Sequence, residues 1–242
     1  MKCLLLLMFI FQFLLKANCQ EINISGGLAM PLNPYSGKDI TDNANGHALL
    51  GYNFKFDYII LKQSSINFSL GLLYLNNGFD VKNIENQYNS INSKKSVFTS
   101  LKPFTGLGFG SSIFFYFTPI KHKFKGYSKF SLGQLFVNSP EYTNIDSLVY
   151  IKYLSANSNS IYLGLCVGVE YNLTPQISII GFTEYFYSKV NFGNVKASNI
   201  SGQVATILYT KANEQALESL NFNIGLSFKL YHSITNFKKK IK

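Results

Sequence analysis

The chain has 242 residues, 47% hydrophobic and 16% aromatic but only 14% charged, where an ordinary soluble domain carries about 25% charge. A large apolar surface must therefore be hidden from water, and the length fits one large β domain or two small ones. The formal charge of +10 comes from lysines that are scattered or gathered at turns and the C-terminus, with no arginine; binders of nucleic acid concentrate their charge and use arginine forks, so no nucleic-acid partner is expected.

Residues 1–19 read as a signal peptide. Lys2 supplies a positive start, Cys3 to Leu15 is an apolar run broken only by Gln12, and Ala17-Asn18-Cys19 offers small residues at cleavage spacing. The run is too short for a membrane-spanning helix, which needs about 20 apolar residues. A lipidated Cys19 is the rival reading, and Lys16 and Asn18 sit where a lipoprotein signal wants apolar and small residues. Cleavage would leave Cys166 as the one cysteine, so no disulfide is expected; Cys166 reads as a small packing residue.

A first strand spans Glu21 to Met30, with Ile22, Ile24 and Leu28 on one face, and a loop from Pro31 to Asn45 follows it. The second strand, His47 to Ile60, sets Leu50, Tyr52, Phe54, Phe56, Tyr58 and Ile60 against Gly51, Asn53, Lys55 and Asp57. The third runs from Ile66 to Tyr74, and residues 76–96 read as a long polar loop. A fourth strand covers Phe98 to Thr118; its alternating Gly106, Gly108 and Gly110 suit a crowded or sharply bent inner wall. Pro119 to Gly126 reads as a lysine-rich turn, Tyr127 to Val137 as the fifth strand, and residues 138–159 as a second long loop.

The sixth strand is the plainest. From Ile161 to Leu173 every odd residue is bulky and every even one is small or polar, a period of two that only a strand produces. At about 3.3 Å per residue and a tilt near 45° it rises roughly 28 Å, close to the apolar band of an outer membrane. Thr174-Pro175 forms a tight turn into a seventh strand, Ile177 to Val190, where Ile180 and Phe182 blur the alternation. Residues 191–217 read as a third long loop holding a short helical or strand piece near Val204 to Leu217. The eighth strand alternates cleanly from Leu220 to Leu230, and residues 233–242 form a basic tail behind a barrel domain of residues 20–232.

Connections after strands two, four and six are short and the others long, which in an up-and-down barrel puts all long loops at one end. A soluble lipocalin-like barrel would carry abundant charge on its outer wall. Here the non-apolar face is Gly, Ser and Asn with few charges, so it suits the crowded interior and the bulky face suits lipid. Tyr58, Tyr74, Tyr116, Tyr171, Tyr185 and Tyr187 lie near strand ends, where aromatic girdles belong. The fold class is an all-β, closed, antiparallel, eight-stranded transmembrane barrel in the outer membrane.

Pro103-Phe104-Thr105-Gly106-Leu107-Gly108-Phe109-Gly110, Gly164 to Leu173, and Asn223-Ile224-Gly225-Leu226-Ser227-Phe228-Lys229-Leu230 carry a resemblance. With the leading segment, they make the chain similar to the outer-membrane protein β-barrel domain family of diderm bacteria, relatives of the small OmpX- and OmpW-like barrels. The resemblance spans the mature chain and implies a barrel placed by the insertion machinery; the family has no shared catalytic residues to carry over. Such barrels often end on the last residue of the final strand, whereas about ten residues follow Tyr231 here.

The inward charges are Lys55, Asp57, Lys129, Glu170, Glu184 and Lys229. They are expected to form a salt-bridged network filling the lumen, with Lys229 reaching strand two, because unpaired buried charge costs several kcal/mol, about. A polar conduit is the alternative. His47, His122 and His232 lack partner patterns and read as surface residues, so no catalytic residue, metal site or cofactor is expected. The favoured function is a structural or surface-interaction barrel binding a ligand or surface through residues 76–96, 138–159 and 191–217. A barrel passing small solutes or hydrophobic molecules is the alternative, ahead of a soluble lipocalin-like binder or a lipid-modifying enzyme.

Overall fold

The computed structural model describes residues 20–32, 35–37, 47–62, 65–92, 95–117, 123–146, 149–199, 202–207 and 214–230. The signal-peptide reading, His122, His232 and the basic tail fall outside the described residues.

Strict alternation of side chains fixes the architecture. Among the described residues thirteen strands and one helix follow in order: β1 (Gln20–Pro31), β2 (Ala48–Lys62), β3 (Ile66–Phe79), α1 (Val81–Asn92), β4 (Val97–Lys102), β5 (Phe104–Tyr116), β6 (Phe124–Asn138), β7 (Glu141–Asp146), β8 (Val149–Tyr153), β9 (Asn157–Asn172), β10 (Ile177–Asn191), β11 (Val195–Ser198), β12 (Val204–Ile207) and β13 (Glu214–Leu230). Eight of them close in the order β1-β13-β10-β9-β6-β5-β3-β2, every neighbour antiparallel. The seam between first and last strands runs from Gln20 opposite Leu230 to Pro31 opposite Ser219, so both ends of the barrel domain lie on the short-turn side.

The outer wall carries exposed Ile24, Leu28, Phe54, Leu72, Phe109, Leu132, Val167, Ile224 and Leu226, among others. In water such a belt would be an aggregation surface; against acyl tails it is the stable arrangement, and closure leaves no strand edge unpaired in lipid. Inside, the small residues make room for large neighbours. A Cβ on Gly168 would meet Phe182 Cβ at 2.6 Å and the Tyr127 ring at 2.7 Å, and one on Gly133 would meet the Tyr162 ring at 2.5 Å. The glycines thus answer a crowded interior. Tyr116 is a correction: it faces the lumen, 8% exposed, and not the girdle. The ambiguity in the seventh strand resolves the same way, since Ile180, Phe182, Phe186 and Val190 point inward as wall filling.

The long connections are not plain loops. The fourth strand expected from Phe98 to Thr118 breaks at Pro103, where the missing N–H and the altered direction send β4 and β5 into different sheets. Residues 76–96 complete β3 and then form α1, residues 138–159 hold β7 and β8, and residues 191–217 hold β11, β12 and the start of β13. β4, β7, β8, β11 and β12 assemble into a second, five-stranded sheet at the long-loop end, in the order β12-β11-β8-β7-β4. Asp80 caps α1, its Oδ1 accepting the Asn83 N–H at 3.1 Å. The helix then covers the free edge beside β4: the Phe98 N–H donates to Glu85 Oε2 at 2.8 Å, and Asn89 bonds both Ser96 N and Ser96 O.

Candidate functional site

From the long-loop end to the short-turn end, the lumen is filled in layers. The uppermost is apolar, with Tyr35, Leu73, Leu75, Phe104, Leu135, Tyr162, Phe186 and Leu217 in one cluster. Beneath it lies a charged layer. Lys55 on β2 pairs with Glu184 on β10, and the Asn221 Nδ2 donates to the same carboxylate at 3.2 Å. Lys129 Nζ meets Asp57 Oδ2 at 2.8 Å and lies 5.2 Å and 5.3 Å from the ring centroids of Phe114 and Phe182. Those rings belong to the next layer, an aromatic cluster with Tyr116, Tyr127, Cys166 and Ile180.

The lowest layer centres on Glu170, 1% exposed. Its carboxylate takes Lys125 Nζ at 2.9 Å, the Ser178 hydroxyl at 3.0 Å, the Tyr116 hydroxyl at 3.1 Å and Lys229 Nζ at 3.2 Å. A buried carboxylate in so apolar a barrel is tolerable only with this many donors. All six inward charges expected from the sequence therefore lie in the lumen, divided between two layers. Lys229 departs from the expected direction: it bonds Glu170, and Asn172 at 2.6 Å, across the neighbouring strands and not toward β2.

Two lumen charges escaped the sequence reading. Lys125, 1% exposed, lies in β6 and not in the expected turn of Pro119 to Gly126; counting back by twos from Ser131 through Lys129 and Tyr127 puts it on the inner face. Glu21, 0% exposed, opens β1 and accepts the Ser227 hydroxyl at 2.7 Å. His47 is likewise a correction, because it is 7% exposed and no surface residue. It carries a left-handed backbone at φ 50°, held by its N–H on Gly37 O and its carbonyl under the Asp80 N–H. Among the described residues no group of three or more His, Cys, Asp or Glu side chains is arranged to hold a metal.

Above the barrel, the second sheet has two different faces. Tyr142, Tyr153 and Phe98 share one, with Tyr142 and Tyr153 stacked at 4.6 Å. Tyr142 also meets Phe79 at 5.2 Å, Phe79 meets Phe104 at 6.0 Å, and Phe104 meets Tyr35 at 5.2 Å, so an aromatic run ties this face to the barrel mouth. Cross-strand register places Val97, Ile145 and Tyr150 in one row on the opposite face, then Thr99, Thr143 and Lys152, then Lys102 and Glu141. Glu141, 7% exposed, takes Lys102 on one oxygen and Lys152 on the other, each at 2.8 Å. Those two hydrogen-bonded ammonium groups hold its carboxyl below the usual range, and Glu141 in turn raises Lys152.

No family model matches the chain, and no curated protein matches it. Solved structures do. A major outer membrane protein from Thermus thermophilus is 12% identical with a TM-score of 0.55, over 87% of this chain and 99% of that one. Neisserial surface protein A is 14% identical with a TM-score of 0.47, over 87% and 97%. Ail, the attachment invasion locus protein of Yersinia pestis, is 14% identical with a TM-score of 0.42, over 87% and 98%. At such identities the likeness is one of fold. With its strands closed in up-and-down order and its apolar wall turned outward, the chain has the fold of the eight-stranded outer-membrane β-barrels and is an integral outer-membrane protein.

Proposed function

We propose that the protein is a non-catalytic surface-interaction barrel whose membrane part is a filled pedestal and whose second sheet is the working surface. The carrying observation is that sheet: it stands outside the apolar belt yet leaves Val97 55% and Ile145 45% exposed as cross-strand neighbours. Side chains that a solvent-facing sheet would normally keep polar are instead apolar there, the mark of a surface completed by a partner. The aromatic and ionic layers of the lumen support the pedestal role, since an eight-stranded barrel has an interior just wide enough for side chains to fill. In this reading residues 1–19 are removed on export, residues 20–232 are inserted by the barrel-insertion machinery, and residues 233–242 stay on the short-turn side.

Surface display tests it. Cells carrying Val97→Lys with Ile145→Lys should lose adhesion to a host-cell or matrix surface while the barrel still shows heat-modifiable migration on gels. Planar bilayers holding the unaltered protein should show no steady ion current. Adhesion unchanged by the pair, together with a current altered by Glu170→Ala, would favour the conduit.

A further inference from the structure

β4 ends the second sheet on one side, and its outer edge is covered by a helix instead of a strand. The cover is made of side chains. The Phe98 N–H donates to Glu85 Oε2 at 2.8 Å, the Ser96 N–H donates to Asn89 Oδ1 at 2.8 Å, and Asn89 Nδ2 donates back to Ser96 O at 2.9 Å. In an antiparallel ladder a residue opposite Ser96 would exchange both of those bonds with it, and a second residue would offer its carbonyl to Phe98. Asn89 therefore stands in for one complete peptide partner and Glu85 for the carbonyl of the next. Helix spacing permits the imitation. Residues i and i+4 are about 6 Å apart along a helix, close to the roughly 6.6 Å between alternate residues of a strand.

The imitation stops at the backbone. Val97, between the two bonded residues, is 55% exposed beside Ile145 at 45%, so α1 satisfies the edge and leaves the apolar row bare. A true strand at this edge would add a side chain to the row of Val97, Ile145 and Tyr150 and complete it. The helix is also lightly seated: none of its side chains is buried, and Ile91 is 62% exposed. What the stand-in groups imitate names the chemistry of the missing neighbour, a peptide backbone in extended form.

We propose that α1 is an autoinhibitory cover, and that the partner enters as an extended polypeptide segment that displaces it and pairs with the β4 edge. Main-chain hydrogen bonds replace those of Glu85 and Asn89, and an apolar side chain of the segment lies beside Val97. The proposal rests on the second sheet being the working surface and adds how that surface is opened.

Fluorescence anisotropy with the full protein in lipid nanodiscs tests it. The probe is a labelled peptide with the sequence of β7, the strand that already pairs with the inner edge of β4. Glu85→Ala with Asn89→Ala should bind this peptide about tenfold more tightly than the unaltered protein, since groups that compete for the edge are gone. The same peptide N-methylated at alternate backbone nitrogens should lose the gain. Amide exchange in the double variant should quicken at Ser96 and Phe98, which face α1, and stay slow at Val97 and Thr99, which by alternation face β7. Equal binding by the two proteins overturns the proposal, and so does a gain that survives N-methylation. Quickened exchange at Val97 and Thr99 would make α1 a support of β4 and not a cover. Dimers of the double variant without peptide would make a second copy the occupant and overturn it as well. None of these failures touches the adhesion result of Val97→Lys with Ile145→Lys, which tests the surface-interaction reading by itself.

Discussion

Two ion-paired sites, built from the same two residue types, sit in opposite surroundings. Glu184 and its partner Lys55 are 1% and 7% exposed in the barrel lumen, whereas Glu141 holds Lys102 and Lys152 with lysine side chains 63% and 33% exposed. In the lumen no water can replace a lost partner, so pairing is a condition of burying the groups at all. On the second sheet water competes with the pair, its direct contribution to stability is small, and it fixes instead where two lysines stand. The same contrast separates the two sheets as wholes. The barrel hides its polar face and shows its apolar one to lipid; the second sheet has solvent on one side and the barrel mouth on the other.

The largest expected effect breaks the lumen pair. Glu184→Ala leaves Lys55 buried without its carboxylate and should cost about 3–5 kcal/mol in urea unfolding from lipid vesicles, while Lys55→Met with Glu184→Leu recovers most of that loss. An unchanged midpoint in the single variant would mean that solvent reaches the layer. Next comes the wall. Ile224, 69% exposed and midway between Glu218 and Leu230 on β13, should cost about 2–4 kcal/mol when changed to lysine at the bilayer midplane. Thr99→Lys on the second sheet should stay within about 0.5 kcal/mol. Equal costs at the two positions would remove the distinction between a lipid-facing and a water-facing strand.

The smallest effect concerns acidity. The carboxyl of Glu141 is depressed in the folded protein, so its contribution is present at neutral pH, above its unfolded value, and is lost as pH falls through the depressed value. Amide exchange corrected for its intrinsic rate should therefore quicken in β4, β7 and β8 only in strong acid, below the ordinary carboxylate range of about 4. Glu141→Gln should exchange quickly in those strands already at neutral pH. Quickening that begins well above that range would contradict the assigned pairing.

Much of this was legible without coordinates. The strand from Ile161 to Leu173, the inward placement of Lys55, Asp57, Lys129, Glu170 and Glu184, and the alternation of short and long connections all follow from a period of two. Where Gly126 interrupts the local pattern, the sequence of Phe124 to Gly126 resembles a turn, and only the pairing of Lys125 with Glu170 shows that the strand continues through it. α1 was hidden because residues 81–92 are mostly polar, although Val81, Ile84 and Tyr88 recur at helical spacing and Tyr88 packs on Phe98 at 5.5 Å.

By itself the sequence determined which face of each wall strand is greasy, and hence that the chain must close on itself in a membrane, because hydrophobic alternation is a local property of the covalent chain. Which lysine meets which carboxylate was decided only in three dimensions: Lys125 and Glu170 are cross-strand partners by register, but Lys55 and Glu184 meet across the lumen. The second sheet was decided there too. Its strands are four to six residues long, too short to declare themselves by pattern, and become stable once the barrel beneath holds their ends together.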